Sequence, residues 1–357
     1  MAPLDAAELR RFCISLPKVE LHAHLTGSIS RDTLHATWAT AKDKDPSLNM
    51  EDPNIALEQI WQTTSFFHMF TKYIYKLVNN EKAVRASTLD VLCAFEEDGV
   101  MHLELRTTPR AGPDMTKDRY VKTVLDAMSE FNARSKTMQT FLILSMDRRN
   151  TFEQAMEAVG LAIKYKNAGV VGIDLCGDYK VGDARILGPC FAKAKAAGLH
   201  VTIHFGETAH GYSELETLLS YGPERLGHVI YITPEVKQEI IRRKLGIEIC
   251  MTTNVVGKHV KSFAEHHLKE WLEEECSIAL CTDDVGVVES PSSNEFFLAG
   301  EHLCLSYERL WGIALGSIDR CFVEEDRKEL LRKKLWDWKE NVGSYWLASP
   351  PGSNHLQ

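Results

Sequence analysis

His22 and His24 lie two residues apart at the end of an apolar run, and on a strand that spacing aims both imidazoles at one face. His204 closes a second such run and Asp283 follows a third. Three imidazoles and a carboxylate suit Zn²⁺ if the fold gathers them. A buried network of hydrogen-bonded histidines is the other use of the same residues. Glu207, three residues past His204, stands where a carboxylate either shuttles protons or merely opens the next helix. His228, in Leu226-Gly227-His228, reads as a fourth ligand, a base or a packed histidine. Asp283 and Asp284 divide their work, because neighbours at a strand end face different ways. One binds metal while the other reaches water or substrate.

The remaining apolar runs also end in polar residues: Arg106 to Arg110, Asp147, Gly177-Asp178 and Asn254. Hydrophobic strands have no packing reason to finish this way so often. Arg110, after Thr107-Thr108-Pro109, offers a planar fork and nearby hydroxyls to a phosphate, with a structural ion pair as the alternative. Arg148 and Arg149 are weaker phosphate candidates that read rather as a solvated strand end, and His259, His266 and His267 read as surface residues.

Elements that position these groups follow from the pattern. Eight β-branched-rich runs recur: Val19–Leu25, Val100–Thr107, Thr140–Asp147, Val170–Leu175, His200–Phe205, Arg225–Tyr231, Gly246–Met251 and Ser277–Thr282. Between them, helical spacing marks Lys117–Arg134, Thr151–Asn167, Ala184–Ala197, Pro234–Lys244 and Ala264–Glu274. Gly99, Gly169, Gly198 and Gly246 punctuate the helix-to-strand turns. Eight alternations predict an α/β fold, a (β/α)8 TIM barrel with its site at the C-terminal strand ends. A doubly wound sheet is the competitor, but no G-x-G-x-x-G follows the first strand. Extra length falls into a helical insertion after strand one (31–97) and C-terminal helices (303–346). Residues 1–348 read as one domain, Lys42–Pro53 as a loop and 349–357 as a disordered tail. Trp61, Phe66, Phe67 and Phe70 supply an apolar face over the barrel mouth, and a lid over a bound base is a second use for them.

The chain of 357 residues carries a net charge of −9, which argues against a nucleic-acid polymer as partner. An anionic small molecule therefore needs a local cation cluster. Nine cysteines without a C-x-x-C pair predict reduced thiols and a cytosolic protein. No apolar stretch has the length of a membrane span, and the first residues lack a secretory core. A monomer is expected.

Five motifs, His22-Ala23-His24-Leu25-x-Gly27-Ser28, Leu175-x-Gly177-Asp178, His204-x-Gly206-Glu207, Arg225-Leu226-Gly227-His228 and Cys281-Thr282-Asp283-Asp284, resemble in order those of the adenosine deaminase family of metallo-dependent hydrolases. Leu16 to His22, Leu103 to Arg110, Met146 to Arg149 and Val171 to Leu175 are similar to its adenosine deaminase-like branch, the N6-methyl-AMP deaminases. The resemblance implies a barrel with one zinc on His22, His24, His204 and Asp283. No lysine ends the fourth strand to carry a second metal. It implies Glu207 as proton donor to purine N1, His228 and Asp284 as handlers of the attacking water, and the Gly177 amide against the ring. His24 and the segment from Thr107 through Thr108 and Pro109 to Arg110 would surround the substrate with Asp147. Thr26 and Tyr75 stand near the ribose end, where the branch has Asn and His. The implied reaction takes N6-methyl-AMP to IMP and methylamine, with adenosine as the alternative substrate. A silent binding barrel and a ring-amide hydrolase are readings of other classes.

Overall fold

The computed structural model describes residues 4–56, 69–274 and 276–347. Eight parallel strands follow one another in chain order: β1 Lys18–His24, β2 Val100–Thr107, β3 Gln139–Asp147, β4 Val170–Cys176, β5 His200–Phe205, β6 Arg225–His228, β7 Gly246–Ile249 and β8 Ile278–Leu280. A parallel bridge between Ala23 and Asp283 closes the ring. There His24 N donates to Asp283 O, and Asp283 N donates to His22 O, at 2.8 Å each. The (β/α)8 barrel expected from the alternation is the fold.

The strands are buried on both faces, yet their chemistry alternates. In β2, Leu103 and Leu105 join the aliphatic core, while His102, Glu104 and Arg106 are equally buried. Their partners show where these polar groups point. Arg106 reaches Glu248 on β7 and Glu104 reaches Arg225 on β6, both across the barrel. The interior is thus an ion-pair network, and the aliphatic residues face the outer helices. An alternating strand normally signals one wet face. Here the polar face is turned inward.

Helix starts carry local caps that hold the strand order in place. Thr151 and Gln154 form a reciprocal capping box ahead of Phe152–Lys164, and Thr233 caps Pro234–Arg243. Gly169 adopts φ +112° after a short 3₁₀ turn, where a Cβ would be strained. Before β7 the left-handed residue is Lys244, not Gly246, which already begins the strand.

Several boundaries differ from expectation. β6 stops at His228, because His228 and Val229 take φ values of +68° and +53° and turn the chain. β7 stops at Ile249, since Met251–Val256 winds into a helix, and β8 spans only Ile278–Leu280. Ala264–Glu274 is no single helix but a 3₁₀ turn, Phe263–Glu265, followed by Leu268–Trp271. Ser30 caps a helix over Arg31–Lys44, so the expected loop begins three residues late.

The insertion continues through Glu81–Glu97, and Tyr307–Ser317 and Glu325–Trp338 form the helical C-terminal region. Trp61, Phe66, Phe67 and the tail from 349 lie outside the described residues. All nine cysteines are free, six of them buried, as their scatter suggested. No helix among the described residues is long and apolar enough to cross a membrane.

Candidate active site

β1 delivers His22 and His24 to the C-terminal end of the barrel, where β5 brings His204 and the turn after β8 brings Asp283. His204 Nε2 lies 3.2 Å from His22 Nε2 and 3.0 Å from His24 Nε2. Asp283 Oδ1 lies 3.4 and 3.3 Å from the same two imidazoles. One ligand atom from each of His22, His204, His228 and Asp283 falls within 4.8 Å of the others. Five donor groups therefore converge, one more than a tetrahedral ion takes.

Hydrogen bonds on the far side of each ring separate the roles. His22 Nδ1 donates to Glu248 Oε2 at 2.7 Å, and His204 Nδ1 donates to Asp174 Oδ1 at 3.0 Å. Both carboxylates fix the Nδ1–H tautomer and turn the Nε2 lone pairs toward each other, a repulsive arrangement that a shared cation relieves. His228 is wired the other way. Its Nδ1 accepts from Asn254 Nδ2 at 3.0 Å, which leaves Nε2 with the proton, buried and without a hydrogen bond among the described residues. It is thus set up to donate to an oxygen and not to bind metal. The donor set His22, His24, His204 and Asp283 fits a tetrahedral divalent ion.

The electrostatics agree. Burial holds His24 and His228 well below the usual imidazole range, so both are neutral. For His22, burial and Arg106 favour the neutral form, but its bonds to Asp283 and Glu248 outweigh them and raise its pKa. Burial would raise Asp283 too, yet the surrounding imidazoles hold it well below the carboxylate range. Asp284 goes the opposite way: burial, then the charges of Asp283 and Glu207, keep it protonated. Burial also pushes the Glu207 carboxyl up to about 7, opposed by His204 and assisted by Asp283.

All of these groups but His22 line a cleft of about 620 Å³, counted to its open mouth. Thr26, Tyr75, Thr107, Thr108, Arg110, Asp147 and Gly177 line it with the donor and acid groups, as the sequence suggested. Pro109 does not. It is buried between Thr108 and Arg110, whose side chains take the cleft side. Phe70, Cys176 and Arg149 are lining residues not assigned as substrate contacts from sequence. Two glycines keep the cleft open. A Cβ on Gly27 would sit 1.5 Å from Asp284 Oδ1, and one on Gly177, at φ +105°, 3.0 Å from Asp147 Oδ1.

The Arg110 guanidinium stacks 3.9 Å over the Tyr75 ring, with Nη2 buried and without a hydrogen bond among the described residues. Arg149, by contrast, is committed to Asp147, its Nε donating to Oδ1 at 2.8 Å. Arg148 is not a solvated residue. It is buried, pairs with Glu214 at 2.6 Å and stacks on Tyr179, whose hydroxyl donates to the His204 carbonyl.

His266 and His267 are also misplaced by the sequence reading. His266 is buried, and His267 Nε2 donates to the carbonyl of His228 at 2.6 Å. His259 is partly exposed. Sequence reasoning gave no role to Glu248, though a lone acid inside the apolar run Gly246–Ile249 was the available signal.

A profile of the family described as adenosine deaminase matches residues 17–338. The N6-methyl-AMP deaminase of Danio rerio is 34% identical over 344 residues, covering 93% of this chain and 97% of that protein. The N6-mAMP deaminase of Arabidopsis thaliana is 34% identical over 341 residues, covering 89% and 96%. Its crystal structure superposes with a TM-score of 0.85, at 34% identity, over 92% of this chain and 99% of that one. A solved complex of an adenosine deaminase-like protein with IMP gives a TM-score of 0.86 at 33% identity, covering 93% and 99%. Motifs, barrel and full-length likeness agree that this chain belongs to the adenosine deaminase family, a family of metal-dependent aminohydrolases.

Proposed function

We propose that this chain is a zinc-dependent deaminase that hydrolyses N6-methyl-AMP to IMP and methylamine. The observation that carries the reading is the pair of carboxylate-fixed imidazoles facing each other beside Asp283, with a protonatable Glu207 in the same cleft. Relatives named for this activity, and a neighbour solved with IMP, point to the same substrate.

His22, His24, His204 and Asp283 would hold the zinc, which when bound supplies hydroxide at neutral pH by lowering the pKa of water to about 7. The rest is the work of the chain. His228, neutral and with its Nε2 proton facing the cleft, orients the attacking oxygen toward C6 of the purine. Glu207 in its protonated form gives its proton to N1, so that charge does not build on the ring as aromaticity is lost. Asp284, held protonated, gives a proton to the exocyclic nitrogen as the C6–N bond breaks and methylamine leaves. The C6 hydroxyl proton released as C6=O forms restores Asp284, and the proton shed by the attacking water restores Glu207. The Gly177 amide stands at the ring edge. Tyr75 and Thr26 flank the ribose, and Arg110 with Thr107 and Thr108 receives the phosphate. Arg110 is suited to this because its Nη2 is buried yet without a hydrogen bond among the described residues, a state that an anion corrects.

The test is kcat/KM for N6-methyl-AMP, AMP and adenosine, followed by ultraviolet absorbance. N6-methyl-AMP is expected to lead. An adenosine advantage of about tenfold, roughly 1.4 kcal/mol, would exclude the phosphate from recognition. No turnover of any of the three would leave a binding barrel.

A further inference from the structure

A buried guanidinium, touching neither the donor atoms nor the cleft, links the supports of two of the imidazoles. Arg106 on β2 is 0% exposed. Its Nη2 donates to Glu248 Oε2 at 2.8 Å, and that same oxygen accepts His22 Nδ1 at 2.7 Å. Its Nη1 forms an ion pair, without a hydrogen bond, 3.5 Å from Asp174 Oδ1, the oxygen that accepts His204 Nδ1 at 3.0 Å. We propose that Arg106 is a positioning residue of the metal centre, setting two imidazole ligands at once through the two carboxylates that orient them. This rests on reading the histidine cluster as that centre.

The other contacts explain why one guanidinium suffices. Glu248 Oε1 is taken by Thr202 Oγ1 at 2.9 Å and Arg225 Nε at 2.6 Å. Asp174 Oδ2 is taken by Ser145 Oγ at 2.9 Å. Arg106 is itself anchored by donating to Leu21 O at 2.6 Å, one residue before His22. Each carboxylate is therefore fixed in rotation, and the oxygen left for the histidine is the one that faces Arg106. Two carboxylates converging on two histidines carry like charges inside the barrel. The guanidinium spans them with separate nitrogens of one rigid plane, which the point charge of lysine does not do. Arg225 touches Glu248 only through the far oxygen and forms no ion pair with Asp174, so it is the matched control.

The experiment compares wild type, Arg106→Lys and Arg225→Lys by zinc titration against a chromophoric chelator, by the visible spectrum of the Co²⁺-substituted proteins, and by thermal melts. Arg106→Lys is expected to melt cooperatively, to bind zinc at least about tenfold more weakly, and to change the cobalt spectrum. Arg225→Lys is expected to keep zinc affinity within about threefold of wild type, because the histidine-facing oxygen stays paired. An Arg106→Lys protein that is merely less stable, with wild-type zinc affinity and spectrum, overturns the proposal. So does an equal loss of affinity in Arg225→Lys. Should Arg106→Lys not fold, the double variant Arg106→Gln/Asp174→Asn removes the guanidinium together with one balancing charge and is put through the same titration. It is compared with Asp174→Asn alone: equal affinity in the two proteins counts against the proposal, and a further loss of at least several-fold in the double variant supports it. The wild-type titration separately reports on the metal centre: if it takes up no zinc, that reading and this proposal both fall.

Discussion

Glu207 and Asp284 are acids whose protonated forms burial favours, and their roles depend on it. Glu207 titrates near 7 because it is withdrawn from water, so the protonated form needed for N1 declines as pH rises past that value. In zinc-loaded enzyme kcat should fall with a single-proton slope on the alkaline side. Glu207→Gln should keep its zinc, lose at least about 10²-fold in kcat and lose that slope. Near-normal turnover of the variant removes Glu207 from proton transfer. Asp284 is kept protonated by burial and then by the charges of Asp283 and Glu207, and its carboxyl occupies the space that Gly27 leaves. Gly27→Ala drives a methyl into its carboxyl, and a shift of about 1 Å in a reacting group costs about 10²-fold in rate. The expected result is that loss in kcat with metal content unchanged. A Gly27→Ala enzyme that turns over like wild type would show that the position of Asp284 does not matter.

At the scale of elements, the turn after β6 shows how the site is held. His228 sits at φ +68°, costly for a residue with a side chain, and is secured at both ends. Asn254, from the helix after β7, takes its ring, while His267, from the segment before β8, takes its carbonyl. Losing one such hydrogen bond costs about 1 kcal/mol, about fivefold in rate if His228 drifts. His267→Leu should therefore lower kcat several-fold at unchanged zinc affinity, and His267→Gln, which retains a donor, should recover most of it. Equal loss in both variants would assign His267 to packing alone.

The strand ends were legible because each carries a polar residue out of an apolar run, which has no packing explanation. His266 and His267 were not legible, because the helical spacing read over Ala264–Glu274 breaks at His266. Two short turns replace one helix, and they fold the pair inward. Arg148 was misread for a related reason. Its partner, Glu214, lies 66 residues away in a 3₁₀ segment that no local pattern links to it.

Over the whole molecule, the barrel interior replaces aliphatic layers with buried charge. The alternation in β2 displayed this in sequence, but only the cross-barrel partners reveal that the polar face is the inner one. The network has a consequence for stability. Burial alone would raise Glu104, but Arg225 and His102 outweigh it and bring its carboxyl down to about 2. Glu248 is held well below its usual range, with Arg106 and Arg225 overcoming burial. Carboxylates with depressed folded-state pKa values contribute in full above their ordinary value near 4.5, and that contribution is lost as pH falls toward 2. Urea midpoints should drop steeply as pH falls below 4.5, where these carboxylates take up protons. A midpoint unchanged between pH 5 and 3 would mean that these pairs add little to the fold.

The assignment depends on the gathered imidazoles and Asp283 holding a metal that the reaction needs. Purified protein should be assayed on N6-methyl-AMP before chelation, after complete metal removal, and after titration with zinc. Turnover should disappear on stripping and return in proportion to zinc, levelling off at one ion per chain. Undiminished turnover in metal-free protein would contradict the account.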